Sequence, residues 1–256
     1  MRGPRETSDP AVLFEQATVA YGQAPVLTNV HGSVEKGHTV AVIGPSGAGK
    51  STLIKAILGL VPVIDGSVTV LGQPPAQVRR EVAYVPQINT LDARIQMTVT
   101  QVVLMGRYRW IGWVRPPTFT DRAVAAHALA TVGLAGRSGD CFGTLTTAQR
   151  QQVMLARAIA QQPRILLLDE PFAKVDVLCQ AALLSTLATV RSGGTSVVIS
   201  TGDLALAHLT CDDAFLLHHR RCAFGPTAST LTRNNLHTVF SGIKPEPLSD
   251  NASVAR

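Results

Sequence analysis

The 256-residue sequence predicts an α/β fold, a core of buried parallel sheet with a helical block inserted in it. Two observations carry this expectation. His38–Ile43 and Ile165–Leu168 are nearly continuous apolar runs, which suits strands covered on both faces, as in parallel sheets. Strand and helix patterns alternate toward both ends of the chain, whereas Thr98 to about Gln161 is helical in pattern. No internal repeat or low-complexity tract interrupts this order, so one core with an insertion is expected and not two unrelated domains.

Taken in order, Val12–Phe14 and Thr18–Tyr21 are short β-prone stretches, and Tyr21-Gly22 reads as a turn. Val26–Val34 is a further strand, ended by the polar Glu35-Lys-Gly37. After His38–Ile43 comes the glycine-rich Gly44–Gly49, and then Leu53, Ile54, Ile57 and Leu60 recur at helical spacing. Val68–Leu71 and Val82–Val85 read as strands, and Val102, Val103 and Met105 mark a helix. Arg107–Thr118, with Trp110, Trp113 and Pro116-Pro117, reads as an irregular insert. Asp121–Val132 and Ala148–Ala160 are helical. Ile165–Leu168, a helix over Val177–Val190 and Ser196–Ser200 form a βαβ unit. Phe215–Leu217 and Cys222–Phe224 fit a hairpin around His218–Arg221. The tail from Ile243 has little to bury and is expected to be mobile.

Composition narrows the class. A charged fraction of 16%, below the usual ~25%, excludes a disordered chain, and ordinary Gly and Pro counts exclude a fibrous one. Lys and Arg outnumber Asp and Glu by 23 to 17, giving a net charge of +6. That excess suits anionic partners, whether nucleotides, nucleic acid or the inner face of a membrane, although a scattered basic surface is the plainer reading. No apolar run approaches the ~18 residues that span a bilayer. The first ten residues lack the apolar region of a secretory signal. Cys141, Cys179, Cys211 and Cys222 form no C-x-x-C pair and are expected to be reduced cytosolic thiols.

Gly44-Pro-Ser-Gly-Ala-Gly-Lys50-Ser51 matches G-x-x-x-x-G-K-[ST], after a buried-strand pattern and before a helical one. Glycines there let backbone N–H groups turn around phosphate oxygens, and the helix N-terminus adds partial positive charge. Lys50 is expected to bridge the β- and γ-phosphates, and Ser51 to place its hydroxyl on Mg²⁺. Ile165-Leu-Leu-Leu-Asp169-Glu170 is the natural partner. Its carboxylates fall at the C-terminal end of a strand, where open parallel sheets bind ligands. Asp169 would hold Mg²⁺ through water, and Glu170 would polarise the attacking water.

Further residues follow in a fixed order: Tyr84-Val-Pro-Gln87, Leu145-Thr-Thr-Ala-Gln149, Val175-Asp176 and Ser200-Thr-Gly-Asp203. In that order and at that spacing the chain resembles the ATP-binding subunit of an ABC transporter, over about Val12 to Gly242. The resemblance implies a P-loop NTPase core with a parallel sheet, an N-terminal antiparallel β subdomain and an inserted α-helical subdomain at about 89–162, all one domain over 1–242. It implies ATP contacts from Gly44, Pro45, Ser46, Gly47, Ala48, Gly49, Lys50, Ser51 and Thr52, with Tyr21 stacking on adenine. Gln87 matches the amide that senses Mg²⁺ and the attacking water, joining Lys50 and Glu170 in catalysis and Ser51 and Asp169 at the metal. Asp176 matches the dimer-interface aspartate. The implied partners are a second ATP-binding subunit, multi-span membrane permeases and an extracytoplasmic solute-binding protein, with the chain peripheral on the cytoplasmic face of the membrane. Met97–Arg107, Ala223–Pro226 and Asn235–Phe240 resemble importers of zinc, manganese or iron, and iron-chelate and cobalamin importers share much of this.

Two of the family's motifs are altered here. Its Leu-Ser-Gly-Gly-Gln signature is Leu145-Thr146-Thr147-Ala148-Gln149 here. Thr146 keeps a hydroxyl that can cap a helix, whereas Thr147 and Ala148 each add a Cβ where the family has glycine. The family's switch histidine is Gly202. Losing one charge-assisted contact costs roughly 1.5–3 kcal/mol, or about 10- to 150-fold in rate if it acts in the transition state alone. Nucleotide binding with slow hydrolysis is therefore expected. His208, on an expected helix, is a weak candidate substitute. The alternatives are a hydrolysis-impaired partner or regulatory cassette and an iron-chelate-type importer subunit.

Two other clusters carry less. Cys211, His218, His219 and Cys222 resemble zinc ligands in type, but adjacent histidines on a strand point to opposite faces, so a polar hairpin is expected. Trp110 and Trp113 with Arg107, Arg109 and Arg115 suit protein docking or simple packing better than nucleic-acid stacking. No nucleic-acid partner is expected.

Overall fold

The computed structural model describes residues 9–22, 24–87, 96–112, 115–172 and 177–240, with helix side chains 177–179 excepted. An antiparallel sheet pairs β1 (Val12–Tyr21) with β2 (Ala24–Val34) on one side and β4 (Val63–Val70) on the other. The second sheet has the order β5-β6-β7-β3-β8-β9. Its strands are β3 (Thr39–Ile43), β5 (Val82–Val85), β6 (Ile165–Asp169), β7 (Ser196–Ser200), β8 (Asp213–His218) and β9 (Arg221–Pro226). All neighbours are parallel except β8 and β9, which form the expected hairpin.

The apolar runs are continuous because both faces of this sheet are covered. Ile165 and Leu167 of β6 join a core shared with the antiparallel sheet and α1 (Lys50–Ile57), whose Leu53, Ile54 and Ile57 are fully buried. Phe14 meets Phe215 edge-on across that layer, ring centroids 5.6 Å apart. Leu166 and Leu168 face a second core, filled from α2 (Val99–Leu104), α4 (Phe119–Thr131), α5 (Thr147–Ala160) and α6 (Val177–Ser192). The short α3 (Tyr108–Ile111) lies between α2 and α4. So α2–α5 sit between β5 and β6 in the chain, while α6 is the crossover from β6 to β7. A third, smaller core gathers β3 and β8 against α7 (Leu204–Thr210) and α9 (Arg233–Phe240), with α8 (Thr227–Thr230) before it.

Several elements differ from expectation. The two short N-terminal strands are one strand with a bulge, where Gln16 takes φ +50°. The first helix ends at Ile57, not Leu60. Gly59 at φ +63° donates to Ala56 O and Leu60 N donates to Lys55 O, a Schellman stop that leaves Leu60 60% exposed. Met105 likewise falls in the turn after α2 and is exposed. The irregular insert contains α3, and α8 and α9 are additional.

The insert is organised around Arg107, which is buried. Its Nε donates to Asp121 Oδ1 at 3.1 Å, and its Nη1 donates to Ala160 O at 3.1 Å and to Gln162 Oε1 at 2.9 Å. Thr118 caps α4 and donates its hydroxyl to Asp121 Oδ2 at 2.6 Å. One buried guanidinium thus pins the start of α4 to the end of α5.

Candidate functional site

The glycine loop leaves the central strand β3 and enters α1. Gly47 and Gly49 take φ +80° and +102°, a region L side chains rarely adopt. A Cβ on Gly44 would sit 2.7 Å from Leu217 O, and one on Gly49 would sit 2.9 Å from Leu27 Cδ2. Gly44 is therefore required by space, Gly47 by backbone conformation alone, and Gly49 by backbone conformation, with the tip of Leu27 crowding it as well. Leu27 and Val26, which crowd Gly49, belong to the hairpin that carries Tyr21, so that hairpin leans on the loop. Tyr21 ends β1 with about half its surface exposed, as a stacking platform needs.

The Lys50 ammonium folds back to donate to Gly44 O at 2.9 Å and Pro45 O at 3.3 Å. It also lies 3.4 Å from Glu170 Oε1. Gln87 Nε2 donates to Glu170 Oε2 at 3.0 Å. The strand order explains the convergence. Gln87 follows β5, Glu170 follows β6 and Lys50 follows β3, so all three meet at the C-terminal edge of the sheet. Glu170 turns there with φ +48°. Ser51, Asp169 and Gln87 at this edge offer oxygen donors, a set that suits a hard divalent ion such as Mg²⁺.

Asp169 is buried and held by two hydroxyls that the sequence reading missed. Ser200 Oγ donates to Asp169 Oδ1 at 2.6 Å, and Tyr84 Oη donates to Oδ2 at 3.4 Å. Burial first, then the neighbouring Asp169 carboxylate, pushes the Tyr84 phenol up to about 12; Tyr21 adds least. Ser200 is the residue paired with Asp169 between β6 and β7, a register that follows from the strand order and not from the sequence pattern.

The two departures from the family pattern are also placed. Thr146 caps α5, accepting from Gln149 N at 3.2 Å while Gln149 Oε1 accepts from Thr146 N at 3.0 Å. Thr147, beside it, is exposed. Gly202 lies beyond β7, the strand between β6 and β3, and a Cβ there would meet nothing within 4 Å. His208 does not replace the missing imidazole, because its Nε2 is engaged with Leu231 O at 3.2 Å, against the third core. Asp176 and Trp113 lie outside the described residues.

The secondary clusters are corrected in detail. His218 and His219 do not point apart: His219 is in the turn at φ +44°, and the two rings stand 3.9 Å apart. Burial pushes the Cys211 thiol up to about 11 and Cys222 up to about 12, which disfavours thiolate ligation. Among the described residues, no group of three or more His, Cys, Asp and Glu side chains gathers as a metal site. Arg107 is a buried strut and not part of a basic surface, and Trp110 donates to Gln161 O beneath it.

Comparison with known proteins agrees with this geometry. Residues 27–173 match the family model described as ABC transporter. The chain is 39% identical over 231 residues to the manganese transport system ATP-binding protein MntB of Bacillus subtilis (strain 168), covering 90% of this chain and 92% of that protein. It is 38% identical over 232 residues to the zinc transport system ATP-binding protein TroB of Treponema pallidum (strain Nichols), covering 91% and 87%. The fold superposes on a metal-chelate type ABC transporter solved in an inward-facing conformation with a TM-score of 0.81 at 30% identity, covering 91% of this chain and 90% of that one. With the sheet order, the phosphate loop and these matches in agreement, the chain belongs to the ABC transporter family as an ATP-binding subunit.

Proposed function

We propose that this chain hydrolyses ATP at an attenuated rate to drive import of a divalent metal ion. The observation that carries the ATPase reading is the meeting of Lys50, Glu170 and Gln87 within hydrogen-bonding or ion-pair distance at the phosphate loop. Metal import is supported by relatives whose names specify manganese or zinc transport.

In this reading the loop from Gly44 to Thr52 wraps the phosphates with backbone N–H groups, and Tyr21 stacks on adenine. Lys50 leaves its loop carbonyls for the β- and γ-phosphates. Ser51 and Gln87, with Asp169 through water, would hold Mg²⁺, which would supply charge neutralisation on those phosphates. Glu170 accepts the proton of a water whose oxygen bonds the γ-phosphorus as the bond to the β-phosphate oxygen breaks, leaving ADP and phosphate. The working assembly pairs two ATP-binding subunits on multi-span permeases, with an extracytoplasmic solute-binding protein delivering the ion, and the chain lies peripherally on the cytoplasmic membrane face. No helix among the described residues is long and apolar enough to cross a membrane.

Attenuation is supported by the open space at Gly202 and the Cβ atoms of Thr147 and Ala148. Steady-state Mg-ATP turnover, alone and with the permease, tests it. Wild type is expected to be slow, and Gly202→His and the Thr147→Gly/Ala148→Gly pair to be faster. A fast wild type with inert reversions overturns the attenuation and leaves the family intact. The same glycine favours a second reading, a hydrolysis-impaired partner cassette. In that case turnover stays negligible even with the permease present.

A further inference from the structure

We infer that Ser200 and Tyr84 are positioning residues that fix the Asp169 carboxylate for the metal ion. The inference rests on the reading above that Asp169 holds Mg²⁺. Three features of the fold carry it. First, the parallel register sets Ser200 of β7 directly beside Asp169 of β6, and Ser200 is completely buried. Second, Tyr84 of β5 pairs with Leu167, two residues before Asp169 and so on the same face of β6, and its long side chain reaches forward to the carboxylate. Third, the two hydroxyls divide the carboxylate between them, Ser200 at Oδ1 and Tyr84 at Oδ2.

The consequence for the carboxylate is geometric. An ionised carboxylate has about four lone-pair positions. One donor on each oxygen uses two of them, fixes the plane of the group and leaves the others for water on the metal. A carboxylate on a single χ1–χ2 stem would otherwise rotate, and the ion would have to order it on binding.

Ser200 does a second job. While its Oγ donates to Asp169, the same oxygen accepts from Glu170 N at 2.8 Å. One hydroxyl therefore joins the residue that holds the metal to the residue that takes the proton. Glu170 needs that anchor because its φ of +48° lies in the left-handed region, unfavourable for a side chain of its kind. The Ser200 backbone carbonyl accepts from the same N–H at 3.1 Å, so removing the hydroxyl loosens this corner without emptying it.

The test uses Mn²⁺ as a spectroscopic substitute for Mg²⁺, titrated by electron paramagnetic resonance with a non-hydrolysable ATP analogue, beside binding of the same analogue in EDTA. Loss of a residue that orients a metal ligand weakens metal binding by about 10- to 100-fold. Ser200→Ala and Tyr84→Phe are each expected to weaken Mn²⁺ at least toward the lower end of that range, with metal-free analogue binding unchanged and Ser200→Thr restoring affinity. Wild-type Mn²⁺ affinity in both Ser200→Ala and Tyr84→Phe overturns the inference. Equal losses with and without metal also overturn it, since they mark a merely structural role. If Ser200→Ala does not fold, Tyr84→Phe decides. Asp169→Asn separates the two levels: if it leaves Mn²⁺ binding intact, the assignment of Asp169 itself fails.

Discussion

Residue by residue, the phosphate loop divides its three glycines by cause, and the division is testable. Gly44→Ala would drive a Cβ to 2.7 Å from the backbone oxygen of Leu217. Neither partner is a flexible tip, so the loop or β8 must shift. Gly47→Ala meets open space and bears only the left-handed backbone penalty of about 1–2 kcal/mol. Isothermal titration with ATP is expected to show Gly44→Ala nearly inactive in binding and Gly47→Ala weakened by roughly 5- to 30-fold at most. Equal losses would place the constraint of the loop elsewhere. Motif spacing pointed to Lys50, Asp169 and Glu170, and the family resemblance to Gln87; of these, Lys50, Glu170 and Gln87 lie in contact. Neither was sufficient for Ser200 or Tyr84, whose roles depend on which strands are neighbours, a property of the sheet and not of any local pattern. Nor did they identify Arg107 as buried, because a long cationic side chain reads as surface until its carboxylate is found.

Among the elements, α4 and α5 expose their dependence on polar contacts. Thr146 and Gln149 form a reciprocal cap on α5, so Thr146→Ala is expected to lower stability by about 1 kcal/mol in urea unfolding. Asp121 gives an acid dependence whose sign is fixed. Its carboxyl is held below the ordinary aspartate range, first by the Thr118 hydroxyl and then, against the opposing effect of burial, by the Thr118 N–H and Arg107. A lowered folded value means that the stabilisation is present above the unfolded pKa and is lost as pH falls through the lower, folded one. Asp121→Asn is expected to be less stable at neutral pH and to lose less stability than wild type on acidification. Parallel acid-melting curves would remove Asp121 from the account. These caps were partly legible: Thr146 could be named as a capping hydroxyl, but the partner Gln149 could not, since glutamine at that position also fits the family signature. The bulge at Gln16 and the stop at Gly59 were missed because both depend on left-handed backbone that a hydropathy pattern does not register.

At the scale of the whole molecule, the alternation of strands and helices was legible because parallel strands buried on both faces write themselves as unbroken apolar runs. The order of those strands was not. The same scale governs assembly. If two copies share ATP between a phosphate loop and a signature loop, the attenuation proposed above predicts that the added Cβ atoms of Thr147 and Ala148 loosen that contact. In a Glu170→Gln background with Mg-ATP, size-exclusion chromatography with light scattering is expected to show a weak dimer, strengthened by the Thr147→Gly/Ala148→Gly pair. A firm dimer without those changes would show that the altered loop still closes.

The placement of β3 reaches further than the chemistry at its end. It is paired on both sides, by β7 and β8, and all five of its residues are buried. Its amide protons therefore have no local route to solvent, and hydrogen exchange there proceeds through opening of the entire sheet. Deuterium uptake in the peptide holding Thr39–Ile43 is expected to track global unfolding. The loop that begins at Gly44 can breathe, admit nucleotide and release it while its root stays as still as the most protected part of the molecule.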